Sequence, residues 1–311
     1  MKLLARTVPG RRKNPSGLSK RLRHLFEYGL FRVLIFVLGI MPHRLALAAG
    51  KALGSIVWRV VGYRKSVMCK NMGLAFPQEK PAEIERTALA CYRNLGRIFF
   101  EYSRIMRLSD SWMARNIHVH GQDLLDKAVE SGRGAIIVSF HYGNWELMGA
   151  CIGRLGYPLD VTSRVQTNQP FNDYITRIRQ ANGITLLPLT GSAHKRILNS
   201  LKQGRFVGFL ADQDAGRGGV FVDFLGRPAS TPKGPALYSF LTGVPVVMGF
   251  MPPRDGGGWE IVFEEVPRPD TKNREDFIRE MTAYYTARLE EYVRQSPENW
   301  FWLHRRWKTQ P

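Results

Sequence analysis

Residues 134–150, GAIIVSFHYGNWELMGA, join an apolar run directly to a histidine and a carboxylate. The run GAIIVSF is typical of a buried strand, because a parallel strand covered on both faces needs no polar alternation. Gly143 allows the chain to turn, and Asn144 is a favourable N-cap for the helix that begins with WELMGA. We therefore expect His141 in a loop at the strand's C-terminal end and Glu146 in the first helical turn.

Beyond this unit, short runs typical of strands alternate with stretches of helical periodicity. Strands of about four to eight residues separated by helices of about ten or more predict an α/β fold. Its central sheet should be mixed, largely parallel and flanked by helices. In such sheets ligands bind where strands end, which is where His141 is expected. The later predicted strands are PLDVTS, ITLLPL, RFVGFLAD, GVFVDFLG, VPVVMGFMP and WEIVFEEV.

The first third of the chain is organised differently, with apolar residues at the three- and four-residue spacing of helices. We divide the sequence into a basic tail with membrane-anchoring helices, residues 1–63, and an α/β domain, residues 64–311. Within that domain we expect a helical lead-in at residues 64–130 and the sheet-containing catalytic core at residues 131–311.

The N-terminal segment begins basic and continues apolar. Its first 24 residues carry eight Lys or Arg and no acid. A spanning helix needs about 20 mostly apolar residues, whereas residues 30–41 are shorter and contain Arg32. Pro42 and Arg44 follow instead of a small-residue cleavage site, which disfavours a signal peptide. The pattern favours an interfacial helix on an anionic membrane, with a soluble core helix and a solvated tail as the alternative.

The chain carries a net charge of +19, from 45 Lys and Arg against 26 Asp and Glu. Such a field attracts nucleic acid, anionic lipid or an acidic carrier protein. The C-terminal PENWFWLHRRWK suits a membrane interface, single-stranded nucleic acid or packing onto the domain. Cys69, Cys91 and Cys151 form no CxxC pair, so neither a zinc site nor a disulfide framework is indicated.

His141 and Glu146 together suggest a base and its orienting carboxylate. If the loop bends back, Glu146 can accept from one imidazole nitrogen and raise the basicity of the other. His141 would then take a proton from an alcohol, while the helix N-terminus offers donors to an oxyanion or phosphate. A structural histidine beside a capping glutamate remains the alternative from the residues alone.

The segment HYGNWE is similar to the His-x4-Asp/Glu motif of the glycerolipid acyltransferase superfamily. Longer blocks resemble one branch of it, the late acyltransferases of lipid A biosynthesis of lauroyl- or myristoyltransferase type, in that branch's order and nearly end to end. The most specific are ADQD and DFLGRPASTPKGPA at the expected separation. Others are KNMGLAFPQ, ACYRNLGRIFFEY, RIRQANGITLLP and PENWFWLHRRWK.

This resemblance implies transfer of a fatty acyl chain from acyl carrier protein to a hydroxyl of a lipid A precursor. It implies His141 as general base oriented by Glu146, with direct transfer and no acyl-enzyme. The location implied is the cytoplasmic face of a Gram-negative inner membrane, with a peripheral or single-pass N-terminal anchor. Acyl carrier protein, anionic lipid and the membrane surface are the expected partners, without nucleic acid, and no metal or cofactor beyond the thioester donor is expected.

Further residues are expected to bind substrate. Arg179 matches a family arginine and could bind a phosphate or phosphopantetheine oxygen, and Asp212 could hold Arg179 or a sugar hydroxyl. Arg177 is an equally plausible cation. The segment GRPASTPKGPA is predicted to be a loop that enters a helix at Pro235, and with Lys233 it could bind an anionic head group or form a plain turn. The complete predicted set is Arg179, Asp212, Asn144, Gly143, Arg177, Asp214 and Lys233.

Two alternatives stay open. Within the superfamily, the acceptor could be a phosphatidylinositol mannoside, an ornithine or glycine lipid, or a lysophospholipid. A more remote alternative is a non-catalytic basic protein that binds membrane or nucleic acid. Replacing His141 by Ala separates these classes, because binding should survive the change and acyl transfer should not.

Overall fold

The computed structural model of the protein describes residues 17–164, 167–255 and 257–311. The first 16 residues, which belong to the predicted basic tail, lie outside the described residues. The α-helices are α1 (Gly17–Ile40), α2 (His43–Ile56), α3 (Lys65–Ala75), α4 (Pro81–Tyr102), α5 (Asp110–Asn116), α6 (Gln122–Glu130), α7 (Trp145–Arg154), α8 (Gln169–Ala181), α9 (Ala193–Lys202), α10 (Gly234–Thr242) and α11 (Arg274–Gln295). The strands are β1 (Ile117–His120), β2 (Ala135–Gly143), β3 (Leu159–Ser163), β4 (Thr185–Pro188), β5 (Phe206–Leu210), β6 (Val220–Phe224), β7 (Arg227–Thr231), β8 (Val246–Met251) and β9 (Trp259–Val266).

Seven strands form the central sheet in the order β1-β9-β8-β2-β5-β3-β4, and all neighbouring pairs are parallel except β8 and β9. This confirms the predicted mixed, largely parallel sheet flanked by helices. A separate antiparallel hairpin joins β6 to β7. The hairpin corrects one expectation: GRPAST was predicted to be loop, but Arg227–Thr231 pairs as a strand before the chain enters α10.

Strand β2 lies in the middle of the sheet, between β8 and β5. Its residues 135–140 are buried without interruption, and alternate side chains serve two hydrophobic cores. Ile136 and Val138 join the core beneath α11, whereas Ile137 joins the core beneath α7. The unbroken apolar run therefore reflects burial on both faces of the sheet.

The N-terminal helices pack around α4. Helix α2 approaches α4 so closely that a Cβ on Gly96 would lie 2.1 Å from the Gly50 carbonyl oxygen. No single helix within the described ranges is long and apolar enough to cross a bilayer. One bent pair passes the same length and composition test, namely Arg44–Val61 with Lys65–Ala75, joined at 100°. The predicted interfacial anchor thus stays a prediction.

The C-terminal aromatic cluster packs onto the domain. Trp300, Trp302 and Trp307 are buried, and Arg306 is buried among them, donating to the Ser230 carbonyl and the Thr231 hydroxyl. Packing is thus the correct alternative for these tryptophans. Their membrane-interface interpretation is wrong, since their rings are covered by protein.

Candidate active site

His141 lies at the irregular C-terminal end of β2, where the pairing with β8 shifts register between Ser139 and Gly143. It therefore sits in the last part of the strand instead of in a loop. Gly143 has φ +61°, and a Cβ there would lie 1.7 Å from the Met251 carbonyl oxygen, so the turn requires glycine. Asn144 then caps α7, its side chain accepting from the Leu147 amide at 3.1 Å, as the sequence predicts.

The partner of His141 is Asp212. The Nδ1 atom of His141 lies 2.7 Å from Asp212 Oδ1, and the backbone amide of His141 donates to Asp212 Oδ2 at 2.9 Å. This corrects the expectation that Glu146 orients the imidazole. Asp212 follows β5, which pairs in parallel with β2, so the ends of the two strands bring their residues together.

Burial and hydrogen bonding hold Asp212 as a carboxylate. Its side chain is 1% exposed, and Trp300 Nε1 donates to its Oδ2 at 2.8 Å. Burial alone would raise the pKa of Asp212, but the contacts with His141 and Trp300 outweigh burial and lower that pKa below its usual value. A carboxylate at Nδ1 keeps the proton on that nitrogen, which leaves Nε2 as the basic atom of a neutral imidazole.

Two aromatic rings and one side-chain amide contact the His141 imidazole. The Trp145 ring packs edge-on at 5.0 Å between centroids, and the Phe301 ring lies at 5.7 Å. Gln213 Nε2 lies 3.4 Å from His141 Nε2. The imidazole side chain is 17% exposed, so most of the ring is shielded from water.

Glu146 is engaged with Arg179. Arg179 donates through NH2 to Glu146 Oε1 at 2.7 Å and through Nε to Oε2 at 3.3 Å, which is a bidentate pair. Burial would lower the pKa of Arg179, but the Glu146 carboxylate raises it, so the guanidinium stays charged. Of the two partners expected for Asp212, Arg179 is therefore wrong, because Glu146 binds that arginine. The contact of Asp212 with a sugar hydroxyl stays a prediction.

An apolar pocket lies between α7 and the sheet, and the Glu146–Arg179 pair lines it. Trp145, Gly149 and Ile152 line it from one face of α7, at the helical spacing of four and three residues. Trp145 lines the pocket and also packs against the His141 ring. Its remaining lining includes Ile137, Met148, Leu159, Val161, Ile184, Gly208, Phe209 and Leu210.

The sequence pattern of the bacterial lipid A biosynthesis acyltransferases matches residues 16–309. The chain belongs to this family. It is an acyltransferase that acts on lipid acceptors, and the His-x4-Glu segment, the Asp212 loop and the C-terminal segment all fall within the matched range.

The sequence of this acyltransferase is similar to those of three named enzymes. It is 28% identical to the lipid A biosynthesis palmitoleoyltransferase of Escherichia coli K12, over 87% of each chain. It is 25% identical to the lauroyltransferase of the same organism, over 87% of this chain and 88% of that one. It is also 28% identical to a phosphatidylinositol mannoside acyltransferase of Mycobacterium tuberculosis, over 76% of this chain and 75% of that one.

Several predicted substrate-binding residues of the acyltransferase have structural partners. Asn144 is fully buried and donates to Glu101 Oε2 at 2.8 Å, so its side chain supports the fold beneath the site. Asp214 accepts from the Thr309 amide and hydroxyl, and its own amide donates to His304 Nε2. Asp214 thus anchors the C-terminal segment onto the loop that carries Asp212.

The two remaining predicted cations lie apart from the His141–Asp212 pair. Arg177 is exposed on α8, and its guanidinium lies 3.5 Å from the Tyr28 hydroxyl of α1, whereas Arg179 is directed to Glu146. Lys233 is exposed just before α10. The predicted contacts of Arg177 and Lys233 with an anionic group stay predictions.

Three residues of the site escaped sequence reasoning. Gln213 adjoins His141, Trp300 bonds to Asp212, and buried Glu101 accepts from Asn144 and from Trp259 Nε1 at 3.0 Å. Glu101 had a detectable signal, since it is a lone acid inside the apolar run IFFEY. Gln213 lies between the two acids of ADQD, and nothing in its own sequence context distinguishes it as a site residue.

Proposed function

We propose that the enzyme transfers a fatty acyl chain from an acyl carrier protein thioester to a hydroxyl of a lipid A precursor. His141 is the general base in this proposal, and Asp212 orients it. The observation that carries the proposal is the 2.7 Å contact between His141 Nδ1 and Asp212 Oδ1, which leaves Nε2 as the nitrogen free of that carboxylate. The His141 ring also packs against Trp145, which lines the apolar pocket.

The transfer proceeds without an acyl-enzyme. His141 Nε2 takes the proton of the acceptor hydroxyl as its oxygen attacks the thioester carbonyl carbon. The carbon–sulfur bond then breaks, and the leaving thiolate takes the proton from the imidazolium. Asp212 stabilises the imidazolium that forms between the two steps, since a buried carboxylate at Nδ1 favours the charged ring.

The apolar pocket is the place proposed for the fatty acyl chain. Its lining of aliphatic side chains, backed by Trp145, would bury methylene groups at about 0.8 kcal/mol each. Excluding water there protects the thioester from hydrolysis. Arg179, held charged by Glu146, is proposed to bind an anionic oxygen of donor or acceptor at the pocket's polar edge.

Anionic partners agree with the charge of the chain. Acyl carrier protein is acidic, the precursor bears phosphates, and the inner leaflet is anionic, so a protein of net charge +19 attracts all three. Helix α1 exposes Phe26, Leu30, Val33 and Phe36, which supports the proposed interfacial anchor on the inner membrane of a Gram-negative bacterium.

The test uses membranes that contain the protein, a series of acyl carrier protein thioesters and a tetra-acylated lipid A precursor, with products weighed by mass spectrometry. We expect one added acyl chain, lost in His141→Ala. His120→Ala, an exposed histidine at the end of β1, is the matched control and should keep activity. No product with any donor from folded wild-type protein would contradict the lipid A assignment.

A second acceptor is favoured by one observation, the similarity to a phosphatidylinositol mannoside acyltransferase. The same assay with a phosphatidylinositol mannoside in place of the lipid A precursor distinguishes the two. Transfer to the mannoside alone would replace the proposed acceptor and keep the roles of His141 and Asp212.

A further inference from the structure

Helix α2 has two apolar faces, and α4 covers one of them. The covered face carries small residues at four-residue spacing, which allow the close contact with Gly96: Ala46, Gly50 and Gly54. The opposite face is exposed and also apolar, with members again three or four residues apart: Leu45, Ala48, Ala52 and Ile56. The exposed face of a helix in a soluble protein is usually polar. An exposed apolar face such as this one is therefore expected to contact a partner.

The exposed face continues into a protruding corner. After α2 the chain makes a π-helical turn, Val57–Val61, and then bends by 100° into α3. Gly62 provides the bend with φ +61°. At the corner Val60 is 79% exposed and Val61 65% exposed, and Tyr63 beside them is also exposed.

Cations surround this corner. Arg59 and Arg64 flank Val60 and Val61, and Arg44 and Lys51 lie along one side of the exposed α2 face. Between Arg21 and Lys65 the sequence contains one acid, Glu27. An apolar tip with a basic rim and an exposed tyrosine matches the interface of an anionic bilayer, where apolar groups enter the acyl boundary and cations meet phosphates.

A second copy of this chain fits the corner poorly. A two-fold contact would place the same basic rim against itself, and like charges across an interface are unfavourable. Charge complementarity therefore favours lipid over self-association.

We propose that the α2–α3 corner, Val60 and Val61 at its tip, inserts into an anionic membrane as a second contact besides α1. The proposal rests on the proposed membrane association and adds a particular surface to it. It also sets the orientation of the site. Arg64 NH1 donates to the Leu303 carbonyl at 3.0 Å, two residues after Phe301, whose ring packs on His141.

The test attaches an environment-sensitive fluorophore to the full chain at Val60→Cys, in a Cys69→Ser background that removes the half-buried native thiol. Vesicles of phosphatidylethanolamine and phosphatidylglycerol are added, with pure phosphatidylcholine vesicles for comparison. We expect blue-shifted, stronger emission with the anionic vesicles. Val129→Cys, an exposed valine on α6, is the matched control and should not respond.

A double substitution at the corner measures how much Val60 and Val61 contribute to membrane affinity. Val60→Asp with Val61→Asp should weaken partition onto the anionic vesicles at least about tenfold, since two apolar side chains lose their burial, whereas Val129→Asp should not. Unchanged thermal unfolding would show that the fold survives, as expected for side chains this exposed.

The other possible results of the vesicle experiment have different meanings. A silent label on protein that floats with the vesicles would overturn the corner proposal and leave anchoring by α1 intact. Failure to bind vesicles at all would overturn both. A label that responds to protein concentration without vesicles would show that a second copy covers the corner, and would also overturn the proposal. None of these readouts depends on acyl transfer.

Discussion

His141 and Asp212 are 71 residues apart in the chain, and their side chains meet at 2.7 Å. The contact joins the ends of two parallel neighbours, β2 and β5. The two residues of the His-x4-Glu segment therefore have different partners. His141 contacts Asp212, whereas Glu146 contacts Arg179. The acid within the motif and the acid beside His141 are thus different residues.

Replacing Asp212 by Asn should lower kcat by about 10³- to 10⁴-fold. An amide can donate to Nδ1, which favours the tautomer with the proton on Nε2 and removes the basic lone pair. Initial rates with saturating donor would measure the effect, and thermal unfolding would check the fold. If the residues act as a unit, His141→Ala combined with Asp212→Asn should cost little more than His141→Ala alone. Activity within about tenfold of wild type would contradict the assignment of Asp212.

Glu146→Gln should lower kcat/KM less than Asp212→Asn does, because Glu146 contacts Arg179 and not the proposed base, His141. A double-mutant cycle of Glu146→Gln with Arg179→Gln should show a coupling of about 0.5 to 3 kcal/mol, the range for residues in direct contact. Kinetics of the four proteins give this value. Zero coupling, with Glu146→Gln as damaging as His141→Ala, would return the orienting role to Glu146.

Gly149→Leu should shift donor preference towards shorter acyl chains. A Cβ at Gly149 would meet Ile184 Cδ1 at 3.6 Å, an ordinary contact, so the backbone tolerates a side chain and the longer branch fills the pocket. Each displaced methylene costs about 0.8 kcal/mol, roughly fourfold in binding. Competition between donors of different length, resolved by mass spectrometry, measures the shift. Gly73→Leu on α3, where a Cβ meets nothing within 4 Å, is the control, and equal preferences in both variants would argue against acyl chains in this pocket.

Glu101 should make stability fall as the pH rises. Burial raises the pKa of Glu101 to about 7 from an ordinary 4.5, although Arg97, Trp259 and Asn144 oppose the rise. The folded state thus favours the protonated form, and this contribution is complete below about pH 4.5 and is lost as the pH rises through about 7. The loss should reach at most about 3 kcal/mol.

Thermal unfolding of wild type and Glu101→Gln across this pH window tests the effect. The amide mimics the protonated acid, so the variant should lose the part of the pH dependence that Glu101 causes. Glu85→Gln, an exposed acid on the same helix, should keep the wild-type dependence. Equal pH dependence in wild type and Glu101→Gln would contradict the raised pKa.

Local sequence determined much of this architecture. The apolar run before His141 is buried on both faces, and the Gly143 turn and the Asn144 cap are present as predicted, because strand burial, positive φ and capping depend on neighbouring residues. The position of His141 at the sheet's C-terminal edge follows from the same pattern. The resemblance in longer blocks identified the family.

Tertiary structure decided which groups meet. Spacing along the chain related Glu146 to His141, but α7 directs Glu146 to Arg179, while the pairing of β2 with β5 delivers Asp212. For the tryptophans of the C-terminal cluster the sequence left membrane contact, nucleic-acid contact and packing open, and the tertiary structure shows that they are buried. Elements form from local propensities and periodicity, so sequence reveals them, whereas the partners of a polar side chain depend on strand order and helix packing between residues distant in the chain.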